Sequence, residues 1–166
     1  MLFKIKELYI SFVALLLMGI ITSCGYSLRG SFDLPPSLSQ ISVYSNSYSE
    51  LVNAVNDSLL NKGIKTTSSN DKSLYRIIIN TEQFKRRQLS MSISGRVNEY
   101  ELIYDVAYEI NMPNEKNLSD SITLYRDYSF DENNVMGNSD REAYIKKEMV
   151  STAATLIFNK LRAVAN

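Results

Sequence analysis

From Tyr100 to Ile110 the sequence changes character at every residue. Tyr100, Leu102, Tyr104, Val106, Tyr108 and Ile110 occupy the even positions, while Glu99, Glu101, Asp105 and Glu109 occupy odd ones. Successive side chains of a strand point to opposite faces, so this pattern requires an extended segment with one face on a core and the other in water. A strand of this length needs neighbours to pair with, and both flanks supply them. Upstream, Leu74-Tyr75-Arg76-Ile77-Ile78-Ile79 is strand-like and continues in more polar form through Phe84-Lys85-Arg86-Arg87, before a turn over Ser90 to Arg96 that contains Gly95. Downstream, Pro113 to Ser119 is a turn, and Ile122, Leu124, Tyr128 and Phe130 alternate again, with Arg126 interrupting their apolar face. Three consecutive strands joined by short turns predict an antiparallel meander.

The rest of the chain supplies a cover for the dry face. Gln40 to Ser45 reads as a short strand. Ser47-Tyr48-Ser49-Glu50 has the form of a capping box, with apolar Leu51, Val52, Val55, Leu59 and Leu60 following at helical spacing and Gly63 placed to end the run. These signals predict a helix from Tyr48 to Lys62. Ile64 to Asp71 is polar and reads as an extended link, and Asp131 to Asn138 as a polar loop. Ser139-Asp140-Arg141-Glu142 is a second capping box, opening a helix from Asp140 to about Val164 whose stripe is Ile145, Met149, Ala153, Leu156, Ile157, Leu161 and Val164. At 1.5 Å per residue it would be roughly 37 Å long. The expected fold is α+β: a two-layer α/β sandwich of two helices packed on a four-stranded, mostly antiparallel sheet, in the order β-α-β-β-β-α.

The N-terminus has a different logic. Lys4 and Lys6 precede an apolar run from Leu8 to Ile21, broken only by Ser11 and Gly19 and ending at Thr22-Ser23. That order is the grammar of a secretory signal, and the run is shorter than the ~20 apolar residues a spanning helix needs. Ile21-Thr22-Ser23-Cys24 resembles a lipobox. Residues 1–23 are therefore read as a lipoprotein signal peptide, 24–39 as a lipidated tether in which Pro35-Pro36 forbids helix, and 40–166 as one domain. Cys24 is the only cysteine, so no internal disulfide can form, and lipidation removes the puzzle of an unpaired thiol in an oxidising compartment. The expected attachments are a diacylglycerol and an N-acyl group on Cys24, and stable anchoring requires two or more acyl chains. Gly25, in place of an Asp, favours the outer membrane.

Composition narrows the chemistry. The chain has no His and no Trp, which removes His-based acid–base catalysis and most zinc sites. Its six glycines form no phosphate-binding loop. Of 18 basic and 18 acidic residues, the signal segment takes Lys4, Lys6 and Glu7, leaving 16 and 17. A mature charge near −1 gives no global drive toward nucleic acid. No enzyme, cofactor or metal is expected.

Cys24-Gly25-Tyr26-Ser27-Leu28-Arg29-Gly30, directly after the lipobox, resembles the mature start of the LPS-assembly lipoprotein LptE family. Gly95 and Asn98-Glu99-Tyr100-Glu101-Leu102 resemble that family's hairpin and third strand, Leu124-Tyr125-Arg126-Asp127-Tyr128 its fourth strand, and Lys147-Glu148-Met149 its C-terminal helix. The likeness spans nearly the whole mature chain and has the same element order. It implies a non-enzymatic lipoprotein held in the outer membrane on the periplasmic side, lodged in the lumen of the LptD β-barrel as plug and folding aid, and binding lipopolysaccharide. Another system's outer-membrane accessory, such as a secretin pilotin, is the alternative.

Lipid A phosphates ask for Arg or Lys. The densest cluster is Lys85-Arg86-Arg87 with Arg96 beyond the turn, and Arg126 is a further basic position. These five are the candidate lipopolysaccharide contacts. Edge-strand charges that block aggregation would look the same, and Arg126 could equally be structural. The family's basic residue before the hairpin glycine is missing, since Ile93-Ser94 stands there. Eleven tyrosines suit either strand packing or a protein interface.

Overall fold

A computed structural model describes Lys6 and residues 38–113 and 116–165. Seven elements follow in order: β1 (Gln40–Ser45), α1 (Glu50–Leu60), β2 (Lys65–Thr67), β3 (Tyr75–Met91), β4 (Val97–Asn111), β5 (Asn117–Ser129) and α2 (Val135–Ala165). The sheet has the order β2-β1-β3-β4-β5. The meander β3-β4-β5 is antiparallel as expected.

The sheet has five strands, not four. The additional one, β2, pairs parallel to β1 (Gln40 with Lys65, Ile41 with Thr66), in the stretch expected to be a link. Three residues, Lys-Thr-Thr, are too few and too polar to display an apolar alternation. What places them is the exit from α1. Gly63, at φ +78, turns the chain so that Ile64 N–H reaches the Leu59 carbonyl, and buried Ile64 pins the return beside β1. On its other side β1 pairs parallel with β3, so the sheet is mixed at this end.

Both helix starts differ from expectation. In α1 the capping side chain is Ser49, whose Oγ accepts from Val52 N–H at 3.1 Å, rather than Ser47. Ser49 lets Leu51, Val55 and Leu59 all point inward, while Tyr48 stays in solvent. The longer helix begins five residues early, inside the expected loop. Asn134 Oδ1 accepts from Gly137 N–H at 3.0 Å, the geometry of an N-cap. A Cβ on Gly137 would lie 2.5 Å from Asn134 Nδ2, so the cap depends on glycine there. Buried Asn138 ties the turn to the sheet end by donating to the Asp131 carbonyl and accepting from its N–H. Asparagine and glycine side by side read as a loop from sequence, whereas here they start a helix roughly 46 Å long.

The core lies between the helices and one face of the sheet. Ile41, Val43, Ile77 and Ile79 join the even positions of β4, and Leu51, Leu59, Met149, Ala153, Ile157 and Leu161 close over them. Phe84 and Tyr104 stack at 4.1 Å between centroids, and Tyr104 Oη donates to Glu82 Oε1 at 2.7 Å. Burial, followed by the Glu82 carboxylate, raises Tyr104 far above the ordinary phenol range. The β3–β4 turn carries Gly95 at φ +81, as its residue type predicts.

Burial contrasts give a direct check. Ile77 is fully buried and Ile93, at the hairpin tip, is fully exposed. Ile77→Ala should lower the unfolding free energy by about 2–5 kcal/mol, and Ile93→Ala should change it by less than about 0.5 kcal/mol, both read by urea titration.

Candidate functional site

The five candidate basic residues do not form one patch. On a strand, neighbours face opposite ways, and the β3–β4 register divides the cluster accordingly. Arg86 lies opposite Leu102, on the helix-covered face, while Lys85 lies opposite Ile103 and Arg87 opposite Glu101, on the open face. Arg126 is also opposite Leu102 and shares the helix side with Arg86. Arg96 is the last residue of the β3–β4 turn and is bonded to Glu132.

Each cation has an acid beside it. On the open face, Lys85 Nζ is 2.9 Å from Asp105 Oδ2, whose other oxygen accepts from Thr123, and Arg87 Nε contacts Glu101. Lys85 and then Thr123 hold the Asp105 carboxyl below the usual range. Lys85, Arg87 and Arg96 keep more than half of their side-chain surface exposed, at 53%, 62% and 67%. The Lys85 and Arg96 pairs, whose acids are also exposed, contribute little to stability and are readily exchanged for another anion, whereas Glu101 is buried and depends on Arg87.

The helix side is built differently. Arg86 Nη1 donates to Glu142 Oε2 at 2.9 Å, Tyr128 Oη donates to the same oxygen at 2.6 Å, and Lys146 Nζ lies 2.7 Å from Glu142 Oε1. The Arg86 guanidinium also stacks 4.5 Å over the Tyr100 ring, which meets Phe130 edge-on at 5.2 Å. Burial would raise the Glu142 carboxyl, but bonds from Lys146, Tyr128 and Arg86 outweigh it and hold it down at about 2. Glu142 was expected to cap a helix. It lies well inside α2 instead, and its carboxylate joins that helix to β3 and β5. Arg126 makes a looser link from β5, 3.7 Å from Glu148. Sequence reasoning missed Glu142, Tyr100 and Tyr128 as partners of Arg86, because only the strand register brings them together.

A 420 Å³ hollow borders this joint, lined among others by Arg86, Tyr128, Phe130, Val135 and Lys146. A larger groove of 810 Å³ runs between α1 and α2, with Glu50 and Asp57 on one bank and Lys146 and Lys147 on the other. Cys24 and the expected signal and tether segments lie outside the described residues, apart from Lys6 and the last residues of the tether.

Residues 38–161 match the family model described as LptE, lipopolysaccharide-assembly. The chain belongs to the LptE family. It is 24% identical over 149 residues to the LPS-assembly lipoprotein LptE of Pectobacterium atrosepticum, covering 87% of this chain and 80% of that one. The crystal structure of rare lipoprotein B from Shewanella oneidensis superposes with a TM-score of 0.69 at 28% identity, over 75% of this chain and 95% of that one. The solution structure of lipoprotein B from Nitrosomonas europaea gives 0.69 at 25% identity, over 84% and 92%. The expected α+β sandwich is thus the fold of this LptE-family chain, with one strand more than the sequence predicts.

The Glu142 joint has a pH signature. Its carboxyl titrates at about 2 when folded, against 4.5 for a free one, so its stabilisation is complete above about 4.5 and is lost as pH falls toward 2. Glu142→Gln should cost roughly 1–3 kcal/mol at pH 7, and should narrow the difference in urea midpoint between pH 7 and pH 3.

Proposed function

We propose that this chain is a non-enzymatic outer-membrane lipoprotein that assists assembly of an LptD-like β-barrel, occupies its lumen, and binds lipopolysaccharide during insertion into the outer leaflet. The observation that carries this reading is the family match over 38–161, which takes in every element of the fold. Anchoring would come from diacylglycerol and N-acyl groups on Cys24, with no other cofactor. The shape of the domain supports the reading. Both helices cover one face of the sheet, and the open face presents paired charges and hydroxyls, such as Lys85, Asp105 and Thr123, suited to a wet lumen.

Lipopolysaccharide contact then falls to the exposed set. Lys85 and Arg96 lose little by exchanging a surface carboxylate for a phosphate, and Arg87, itself 62% exposed, can meet a phosphate while it stays paired with Glu101. Arg86 and Arg126 are occupied in holding α2 to the sheet. Replacing Lys85, Arg87 and Arg96 together with Ser should weaken lipopolysaccharide binding, measured with the purified chain, by roughly tenfold or more at low salt, equivalent to about 1.4 kcal/mol. Arg86→Ser should instead lower the unfolding midpoint while leaving binding by the folded fraction largely intact. Unchanged binding in the triple variant would move the ligand site elsewhere.

The decisive experiment is affinity capture from detergent-solubilised outer membrane, with mass spectrometry of what is retained. An LptD-like barrel is expected, whereas a secretin would establish the pilotin alternative. Cys24→Ser should release the protein from the membrane fraction while the soluble domain keeps its circular dichroism spectrum. Loss of folding in that variant would make the anchor part of the domain's stability.

A further inference from the structure

Where β3 begins, Arg76 and Lys72 line a hollow of 290 Å³ together with Met112, Pro113 and Asn117. Strand register fixes its side. Arg76 lies opposite Asn111, and Asn111 opposite Asn117, while their neighbours Ile77 and Ile110 belong to the core. The three polar residues therefore sit on the face away from the helices. On the other flank of Arg76, Ser42 Oγ donates to the Ser69 carbonyl, which draws the loop between β2 and β3 over this corner. Lys85 is nine residues further along β3, roughly 30 Å away.

These two cations differ from the five basic candidates. Each of those is ion-paired, whereas among the described residues neither Arg76 nor Lys72 forms an ion pair. The neighbouring acid, Asp71, accepts instead from Ser73 N–H at 2.9 Å. Arg76 Nη1 donates to Asn70 Oδ1, which leaves the edge formed by Nε and Nη2. Two parallel donors on that edge suit two oxygens of one anion. Nε is buried and has no acceptor. Beside it Asn111 is only 6% exposed, and its Oδ1 is buried with no donor. A buried donor and a buried acceptor left open at one hollow are costly unless a partner from outside the chain completes them.

We propose that this corner binds a phosphate ester of a polyhydroxylated alcohol. Its phosphate takes the Arg76 fork and the Lys72 ammonium, and an adjacent hydroxyl donates to Asn111 Oδ1. A bare anion would satisfy Arg76 and leave Asn111 without a donor, and a neutral sugar would do the reverse. Two lipid headgroups carry the required chemistry: the glycerol phosphate of phosphatidylglycerol and the phosphorylated sugars of lipopolysaccharide. The chain enters the domain at the same corner, since β1 runs parallel to β3 and starts at Gln40, sixteen residues after Cys24. The site depends neither on the barrel reading nor on Lys85, Arg87 and Arg96.

The test titrates the full chain in neutral detergent while NMR follows the side-chain amide signals of Asn111 and Asn117. Glycerol 3-phosphate should shift both signals and bind several-fold more tightly than methyl phosphate, which has no hydroxyl. Arg76→Gln should weaken binding by roughly tenfold or more, and Lys72→Ala by several-fold. Lys72 is exposed, so circular dichroism should show the fold of its variant unchanged. The triple Ser variant at Lys85, Arg87 and Arg96 should keep its affinity for glycerol 3-phosphate, so failure here and failure of the lipopolysaccharide contacts proposed above are read separately. Micelles doped with phosphatidylglycerol and, separately, with lipopolysaccharide identify the source. Shifts at Asn111 and Asn117 that Arg76→Gln abolishes assign the site to whichever lipid produces them. No shift with glycerol 3-phosphate, or with either lipid, would overturn the proposal. So would equal affinity for methyl phosphate, or binding that survives both Arg76→Gln and Lys72→Ala.

Discussion

The alternation of β4, paired without a break to β5 and to β3 across register shifts at Asn80 and near Ser90, governs everything else in this domain. Because Leu102, Tyr104, Val106, Tyr108 and Ile110 are all buried, β4 cannot slip by one residue without presenting its carboxylates to the core. With β4 held, β5 inherits its phase directly and β3 does so across the shift at Asn80, which moves the core face from Ile77 and Ile79 to Phe84 and Arg86. That phase decides that Arg86 and Arg126 look toward α2 and that Lys85 and Arg87 look away from it. A run of three adjacent cations thereby becomes two different instruments on opposite faces.

The Glu142 joint illustrates the first of them. It gathers one acid, two cations and a phenol where α2 crosses the sheet, with Arg86 further stacked on Tyr100. With only 17% of its side chain exposed, Glu142 would be a liability if unpaired, so the three donors are a condition of its burial. The Lys85–Asp105 and Arg96–Glu132 pairs carry no such obligation: their exposure leaves them screened, inexpensive to break and available to an anionic ligand, whereas Glu101, with 11% of its side chain exposed, depends on Arg87. The proposed division of labour between structural and ligand-facing arginines follows from burial, not from residue type.

Among the described residues the helices lie on one side only, leaving an exposed sheet face and an edge at β5 that no strand pairs, and the two differ chemically. The face is rich in matched charges and hydroxyls, which keeps it wet. The edge offers backbone groups along thirteen residues, with Asp120 covering the Ser121 N–H and Arg126 the Tyr125 carbonyl. A partner can be met through either, and the pairing rules of each are distinct: side-chain exchange on the face, strand addition at the edge.

Much of this was legible in the chain itself. Period-two alternation announced β4, and the flanking turns with Gly95 and Pro113 announced a meander, because a strand with one dry face writes its geometry into neighbouring residues. The apolar stripes of both helices, apart from Leu60 and Leu156, which are exposed, and the glycine stop at Gly63 were equally local, and the family likeness rested on short motifs in order. Tertiary structure decided the rest. β2 exists because Ile64 is drawn into the core beside β1, not because Lys65-Thr66-Thr67 prefer to be extended. Asn134 and Gly137 start a helix because Asn138 finds partners at the sheet end. Glu142 left its expected cap for Arg86, a residue 56 positions away. Which cations share a face, and which acids meet them, depends on pairing between strands, and no window along one strand contains that information.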